Sequence, residues 1–279
     1  LRPAPGLAND VVAQPYDVLS TDEARERASG RPWSFLHISK PEIDLPAGTN
    51  PYAPEVYAKG AENLQAMIQA GVLVRDTAPC YYAYRIVMGS HSQTGIVAAA
   101  SVADYDTNRI RKHEFTRPDK EDDRVRQIDA LNAQTGPVFL TYRRSPAVDA
   151  IVEGVTRGAP DVDVTADDGV RHTLWPVRDA ASIDTITRTF DAMDCLYIAD
   201  GHHRYETALA YRDERRDAAG AGATSAAPAG AAEVAPYERA LAYFANAYAP
   251  GTLLLPIHRV VRRGAPPTDA AWRAALPAW

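Results

Sequence analysis

Cysteine is almost absent from this chain: Cys80 and Cys195 are the only two, too few for a disulfide framework, and their separation rules out a Cys-x-x-Cys zinc site. Each lies in an apolar run that reads as a strand, where a thiol behaves as a small buried hydrophobe. No apolar run approaches the length of a membrane-spanning helix, and the N-terminus lacks the basic start and apolar middle of a signal peptide. Basic excess is missing too. With 30 Lys and Arg against 36 Asp and Glu, a net charge of −6, the surface is poorly suited to displacing counterions from nucleic acid. These absences point to the cytoplasm by default, and to small-molecule partners rather than nucleic acid or a membrane. The chain also begins at Leu1 without a methionine and stops at Trp279 with no closing element, so it reads as a fragment.

Core material is plentiful, at 46% hydrophobic residues over 279 positions. The expected organisation is a single α+β domain over residues 1–261, with 262–279 as the start of a truncated C-terminal region. A low-complexity insertion at 218–236, almost wholly Ala, Gly, Pro, Ser and Thr, reads as disordered. Residues 1–19 read as extended, followed by a capping box at Ser20-Thr-Asp-Glu23 that gives Glu23 a structural role. Trp33 to Ser39 alternates like a strand and makes His37 a hydrogen-bonded core residue. A helix with Val56, Gly60, Leu64 and Ile68 on one face, closed by Gly71, reads as scaffold.

Residues 81–87, 94–102 and 109–113 read as a β-meander, and 137–143 as a further strand. Asp167-Asp-Gly169 turns a hairpin, and helices are expected over 147–156 and 182–192. Strands are expected at 240–246, 252–255 and near 256–261. The fold class that follows is α+β: a mixed, largely antiparallel sheet with helices packed outside.

The chemistry concentrates in Asp194 to Leu209. An apolar strand breaks at Asp200-Gly201, and a helix opens near His203. Gly201 gives the turn freedom in φ, and the helix start offers unpaired N–H groups and a positive dipole end to an anion. His202, His203 and Arg204 stand at that mouth. A structural alternative has the histidines satisfying strand-end carbonyls while Arg204 pairs with an acid such as Glu114. A second cluster, His113, Glu114, Thr116 and Arg117, joins base, acid, hydroxyl and cation at a strand end, where Pro118 fits the first position of the next helix. Its spacing is not that of a zincin helix. His258-Arg259 is a further basic pair at a strand end, and Asp17 is a carboxylate without a capping role, although an Asx-type turn could employ it. The expected cleft gathers residues near 17, 113–117, 200–204 and 258–259.

Three strings, Pro15-Tyr-Asp-Val18, His113-Glu-Phe-Thr116 with Lys120 and Asp123-Arg124, and Ala199-Asp-Gly-His-His-Arg-Tyr205, resemble a bacterial and archaeal family of unknown function whose members are often labelled ParB-like. The resemblance implies a ParB/sulfiredoxin-like nucleotide-binding core. Within that superfamily the turn is similar to the Asp-Gly-x-His-Arg turn of the ADP-dependent free serine kinases. That likeness implies nucleotide phosphates at Gly201, His202, His203 and Arg204, with Asp200 near a metal or a hydroxyl. It also implies an acidic base from an N-terminal segment, for which Asp17 is the nearest candidate.

The preferred expectation is therefore a phosphotransferase using ADP or ATP with Mg²⁺ on a small hydroxyl compound. Asp200, Glu114 and Asp17 are its candidate catalytic groups, and Asp200 its metal ligand. His113, Thr116, Arg117, His258 and Arg259 are candidates for substrate contact. One alternative is a ParB-like nucleotide-binding regulator without robust catalysis. Another is a metal-dependent hydrolase using Asp200, His202 or His203, Glu206 and His113.

Overall fold

The structure, a computed structural model, describes residues 1–116, 118–220 and 234–252, the side chains at 118–120 excepted. Strands β1 (Arg2–Pro3) and β2 (Leu73–Val74) make a small antiparallel ribbon. The remaining strands are β3 (Tyr81–Met88), β4 (His91–Ser101), β5 (Ile110–Arg111), β6 (Val138–Tyr142), β7 (Val162–Thr165), β8 (Arg171–Val177), β9 (Leu196–Asp200) and β10 (Arg239–Asn246). They form one eight-stranded sheet in the order β5-β9-β6-β10-β4-β3-β8-β7. Only the β5/β9 and β6/β10 pairs are parallel, so the sheet is mixed and largely antiparallel, as expected.

The helices are α1 (Ala8–Val11), α2 (Thr21–Ala28), α3 (Leu36–Ser39), α4 (Pro54–Gln69), α5 (Ala103–Asp106), α6 (Pro118–Leu131), α7 (Pro146–Val155), α8 (Ala180–Asp191) and α9 (His202–Ala218). The main core joins Ile96, Val138, Leu140, Ile198 and Phe244 of the sheet to Val148 of α7, Ile186 of α8 and Tyr205 of α9. A second cluster (Val11, Ile38, Leu64, Met67, Leu131) and a third (Ala24, Ala28, Leu36, Ile43) hold the N-terminal helices together. Helix α4 packs on α6, and α6 on α9. This chain of contacts brings the N-terminal helices to the end of β9.

Local signals held where the chemistry was specific. The Ser20 capping box is present in both directions, and the β7–β8 hairpin turns through Gly169 in the left-handed region. Helix α4 ends as its pattern implied, with Gly71 at φ 70° and the Val72 amide reaching back to the Met67 carbonyl.

Four expectations are corrected. Residues 1–19 are not simply extended, since they contain α1 and a 3-10 turn at Tyr16–Val18. The Trp33–Ser39 stretch ends in helix α3, not a strand. Its alternating burial arises because Leu36 enters the third cluster while Ile38 enters the second. His37 there is hydrogen-bonded, as expected: its Nδ1 meets Asp44 at 2.8 Å and its Nε2 the Arg31 carbonyl at 3.1 Å. The segment after β4 does not complete a meander, because β5 is a two-residue strand on the far edge of the sheet, beside β9. Cys80 and Cys195 each sit just before a strand, half-buried and unbonded to each other. Expected strands at 256–261, the end of the 252–255 strand and most of the 218–236 insertion lie outside the described residues.

Candidate functional site

The pairing of β9 becomes irregular one step before the turn that carries the site. Phe139 pairs with Asp200 and Leu140 with Ile198, so Ala199 is an extra residue, a β-bulge that re-aims the end of the strand. Gly201 follows at φ 86°, a conformation glycine adopts without steric cost. A Cβ there would stand 3.2 Å from Arg204 Nη1 and 3.5 Å from Val138 Cα. Helix α9 opens at His202, one residue earlier than the sequence pattern suggested, and its N-cap, Gly201, has no side chain to cap it. Its 17 residues direct the positive end of the helix dipole toward whatever faces this start.

What faces it is a cleft of about 610 Å³. One wall is Asp200 to Arg204 with Glu114. The other is built from Tyr16 and Asp17, the Ser39–Glu42 loop, Val56, Tyr57 and Gly60 of α4, and Asp123 and Arg124 of α6. Each of the three strings singled out in the sequence thus sends side chains into one space.

His202 is only 4% exposed. Its Nε2 accepts the backbone N–H of His113 at 3.3 Å, which places the proton of a neutral ring on Nδ1. That atom faces Glu114 Oε2 at 3.6 Å. Burial, with the nearby His113 as a second cause, lowers the pKa of His202 below its ordinary 6.5. The His113 ring meets it edge-on, centroids 4.4 Å apart. His202 therefore ties residue 113 to the helix start and stands beside Glu114.

Arg204 donates from Nη1 to the Pro137 carbonyl at 2.7 Å, while its Nη2 lies 3.8 Å from Asp200 and 4.0 Å from Asp17. It satisfies a strand-end carbonyl itself, and its acids are Asp17 and Asp200 instead of Glu114. On the opposite wall the Tyr57 hydroxyl donates to Asp123 Oδ1 at 2.8 Å. Arg124 donates from Nε and Nη2 to Asp123 Oδ2 at 2.8 and 2.6 Å and covers the Tyr16 ring at 4.4 Å. Burial, then Asp123, pushes the Tyr57 phenol up to about 12, so it remains a donor at neutral pH. Buried Glu42 accepts from Lys40 and from Thr21, each at 3.1 Å.

Of the residues expected in the site, Asp17, Glu114, Asp200, Gly201, His202, His203 and Arg204 line the cleft. His113 reaches it through His202, Thr116 is outside its lining, and Arg117, His258 and Arg259 lie outside the described residues. The hydrolase ligand set is not gathered. Glu206 turns away from the cleft to the Tyr105 hydroxyl and Lys112 Nζ, and one nitrogen of His202 is taken by backbone. Among the described residues no group of three or more His, Cys, Asp or Glu side chains stands ready to hold an ion.

A family described as protein of unknown function (DUF1015) matches residues 1–278. The chain belongs to DUF1015. The match runs through both walls of the cleft. No curated protein and no solved structure matches the chain.

Sequence reasoning missed the part of this DUF1015 cleft that α4 lines by treating the helix as scaffold. The available signal was Gly60, a glycine inside a helix where none is favoured. A Cβ there would lie 2.8 Å from Pro41 Cγ and 3.4 Å from the Ile38 carbonyl, so the glycine lets the Ser39–Glu42 loop close against the helix. Lys40, Glu42 and Thr21 carried no such signal, since their pairing is visible only once α2 and the loop are packed.

Proposed function

We propose that this protein is a nucleotide-dependent phosphotransferase acting on a small hydroxyl compound, with the phosphates of ADP or ATP bound at the start of α9. One observation carries the reading: Asp17, Glu114 and Asp200 to Arg204, drawn from three separate stretches, meet in a cleft at a helix N-terminus whose N-cap is glycine. The resemblance of that turn to the ADP-dependent free serine kinases, and of the three strings to a ParB/sulfiredoxin-like core, supports the same ligand class.

The electrostatics add a condition. Asp17, Glu42, Glu114, Asp123 and Asp200 outweigh Lys40, Arg124 and Arg204 among the lining residues. A bare polyphosphate is repelled by such a wall, whereas a nucleotide carrying Mg²⁺ is accommodated, with exposed Asp200 as the ligand from the protein. The ion would neutralise charge on the transferring phosphoryl group. Amides at the helix start, with His203 and Arg204, hold the phosphate oxygens. Asp17 takes the proton of the acceptor hydroxyl. The acceptor oxygen then bonds to the terminal phosphorus as the bond from that phosphorus to the bridging oxygen breaks, and the nucleotide leaves one phosphate shorter. Glu114, beside His202, orients the acceptor.

Incubation with ADP or ATP, Mg²⁺ and free serine, then with a panel of small hydroxyl compounds, tests the reading by mass spectrometry of the phosphorylated product. No product from any acceptor would sink it. A ParB-like regulator that binds nucleotide without robust catalysis is the second reading. It is favoured by His202 and Arg204, whose polar atoms already engage His113, Pro137, Asp17 and Asp200. Tight calorimetric binding without turnover distinguishes it.

A further inference from the structure

The cleft has an aromatic side as well as a phosphate side. Three tyrosines line it, and two are committed: Tyr57 to Asp123 through its hydroxyl, and Tyr16 to the Arg124 guanidinium over its ring. Tyr52 is not. It lines the cleft at 51% exposure, and among the described residues its ring meets no other ring or cation and its hydroxyl makes no hydrogen bond. Phe115, the chain neighbour of the lining residue Glu114, is 97% exposed. An open aromatic ring in a polar cleft can bury much of its face against a flat apolar surface laid on it.

We infer that Tyr52 forms the platform of a nucleobase subsite and that Phe115 stands at its rim. The inference rests on the phosphate reading above and extends it to the other end of the same ligand. A nucleotide is a flat aromatic base joined to a charged tail. With the tail at the α9 start, the open phenol ring of Tyr52 in the lining of the same cleft is the surface that suits the base. Stacking recognises the π-face that every base has, so recognition of this kind is broad. Purines, with two fused rings, cover more of the platform than pyrimidines, and adenine is not strongly separated from guanine.

The test is a calorimetric titration of the full chain, with Mg²⁺ present, by ATP, GTP, CTP and inorganic tripolyphosphate. The wild type is compared with Tyr52→Ala, Tyr52→Phe and Phe115→Ala, and thermal melting verifies that each variant folds. The expected result is ATP and GTP binding within a few-fold of each other and about tenfold or more tighter than tripolyphosphate. Tyr52→Ala removes that advantage and Tyr52→Phe keeps it, because the ring face rather than the hydroxyl does the holding. Phe115→Ala weakens ATP and leaves tripolyphosphate unchanged. Tripolyphosphate binding as tightly as ATP, or ATP affinity indifferent to Tyr52→Ala, overturns the base subsite and leaves the phosphate reading standing. No binding of any of the four overturns both.

Discussion

With a φ of 86° and the Arg204 guanidinium 3.2 Å from where a Cβ would stand, Gly201 couples backbone geometry directly to the side chain that flanks the cleft. Gly201→Ala is expected to cost about 1–2 kcal/mol, the usual penalty of a left-handed alanine, and to release Arg204 from the Pro137 carbonyl. Chemical denaturation measures the first effect. His202 makes a prediction of a different kind. Its folded pKa lies below its ordinary 6.5, so the folded state binds fewer protons than the unfolded chain as the pH falls through that value. The contribution to stability is intact above about 6.5, is lost on acidification, and is fully gone below the folded pKa. An NMR titration of the His202 ring should give a midpoint under 6.5 and Nδ1 as the protonated nitrogen of the neutral form. A midpoint above 6.5 would contradict the burial argument.

Helix α4 shows how an element can serve as scaffold and as cleft wall at once. Gly60→Ala places a methyl 2.8 Å from Pro41 Cγ, and the expected consequence is a loss of about 1–3 kcal/mol from overpacking. The Ser39–Glu42 loop would also be displaced from the cleft. A lowered melting temperature together with weakened nucleotide binding supports that dual role; a stabilised protein with unchanged binding argues against it. Elements whose ends are set by local chemistry were legible in the sequence: the Ser20 cap, the Gly71 termination, the Asp167-Asp-Gly169 turn and the Asp200-Gly201 break. Helix α3 was not. Its alternating burial comes from two separate clusters gripping successive residues, which a single-strand pattern imitates. The bulge at Ala199 was also invisible, because it exists only in the pairing of β9 with β6.

At the scale of the whole molecule, one carboxylate joins the N-terminal ribbon to the sheet. Asp76 accepts from Arg2 at 3.0 and 3.2 Å, from the Tyr82 hydroxyl at 2.5 Å and from Arg178 at 3.0 Å. Arg2, then Tyr82, holds its pKa well below the ordinary 3.8. The stability it supplies is present above 3.8 and lost as the pH falls through the lower folded value. Asp76→Asn should destabilise the fold by about 2 kcal/mol at neutral pH, with the gap to wild type closing on strong acidification. Denaturant melts across pH measure it.

Strand order is the global feature least available from sequence, since β5 joins the far edge and β10 enters between β6 and β4 through contacts remote in the chain. The cleft was legible in its residue strings and not in its shape. Its far wall depends on how α4 and α6 pack.

The proposed phosphate site at the α9 start is tested most directly by backbone-amide NMR during titration with ATP and Mg²⁺. The expected result is saturable shifts centred on Gly201, His202, His203 and Arg204, with smaller ones at Asp17 and Glu114, and their loss when Mg²⁺ is withheld. Saturable binding that leaves those four amides unmoved, or no binding at all, would contradict it.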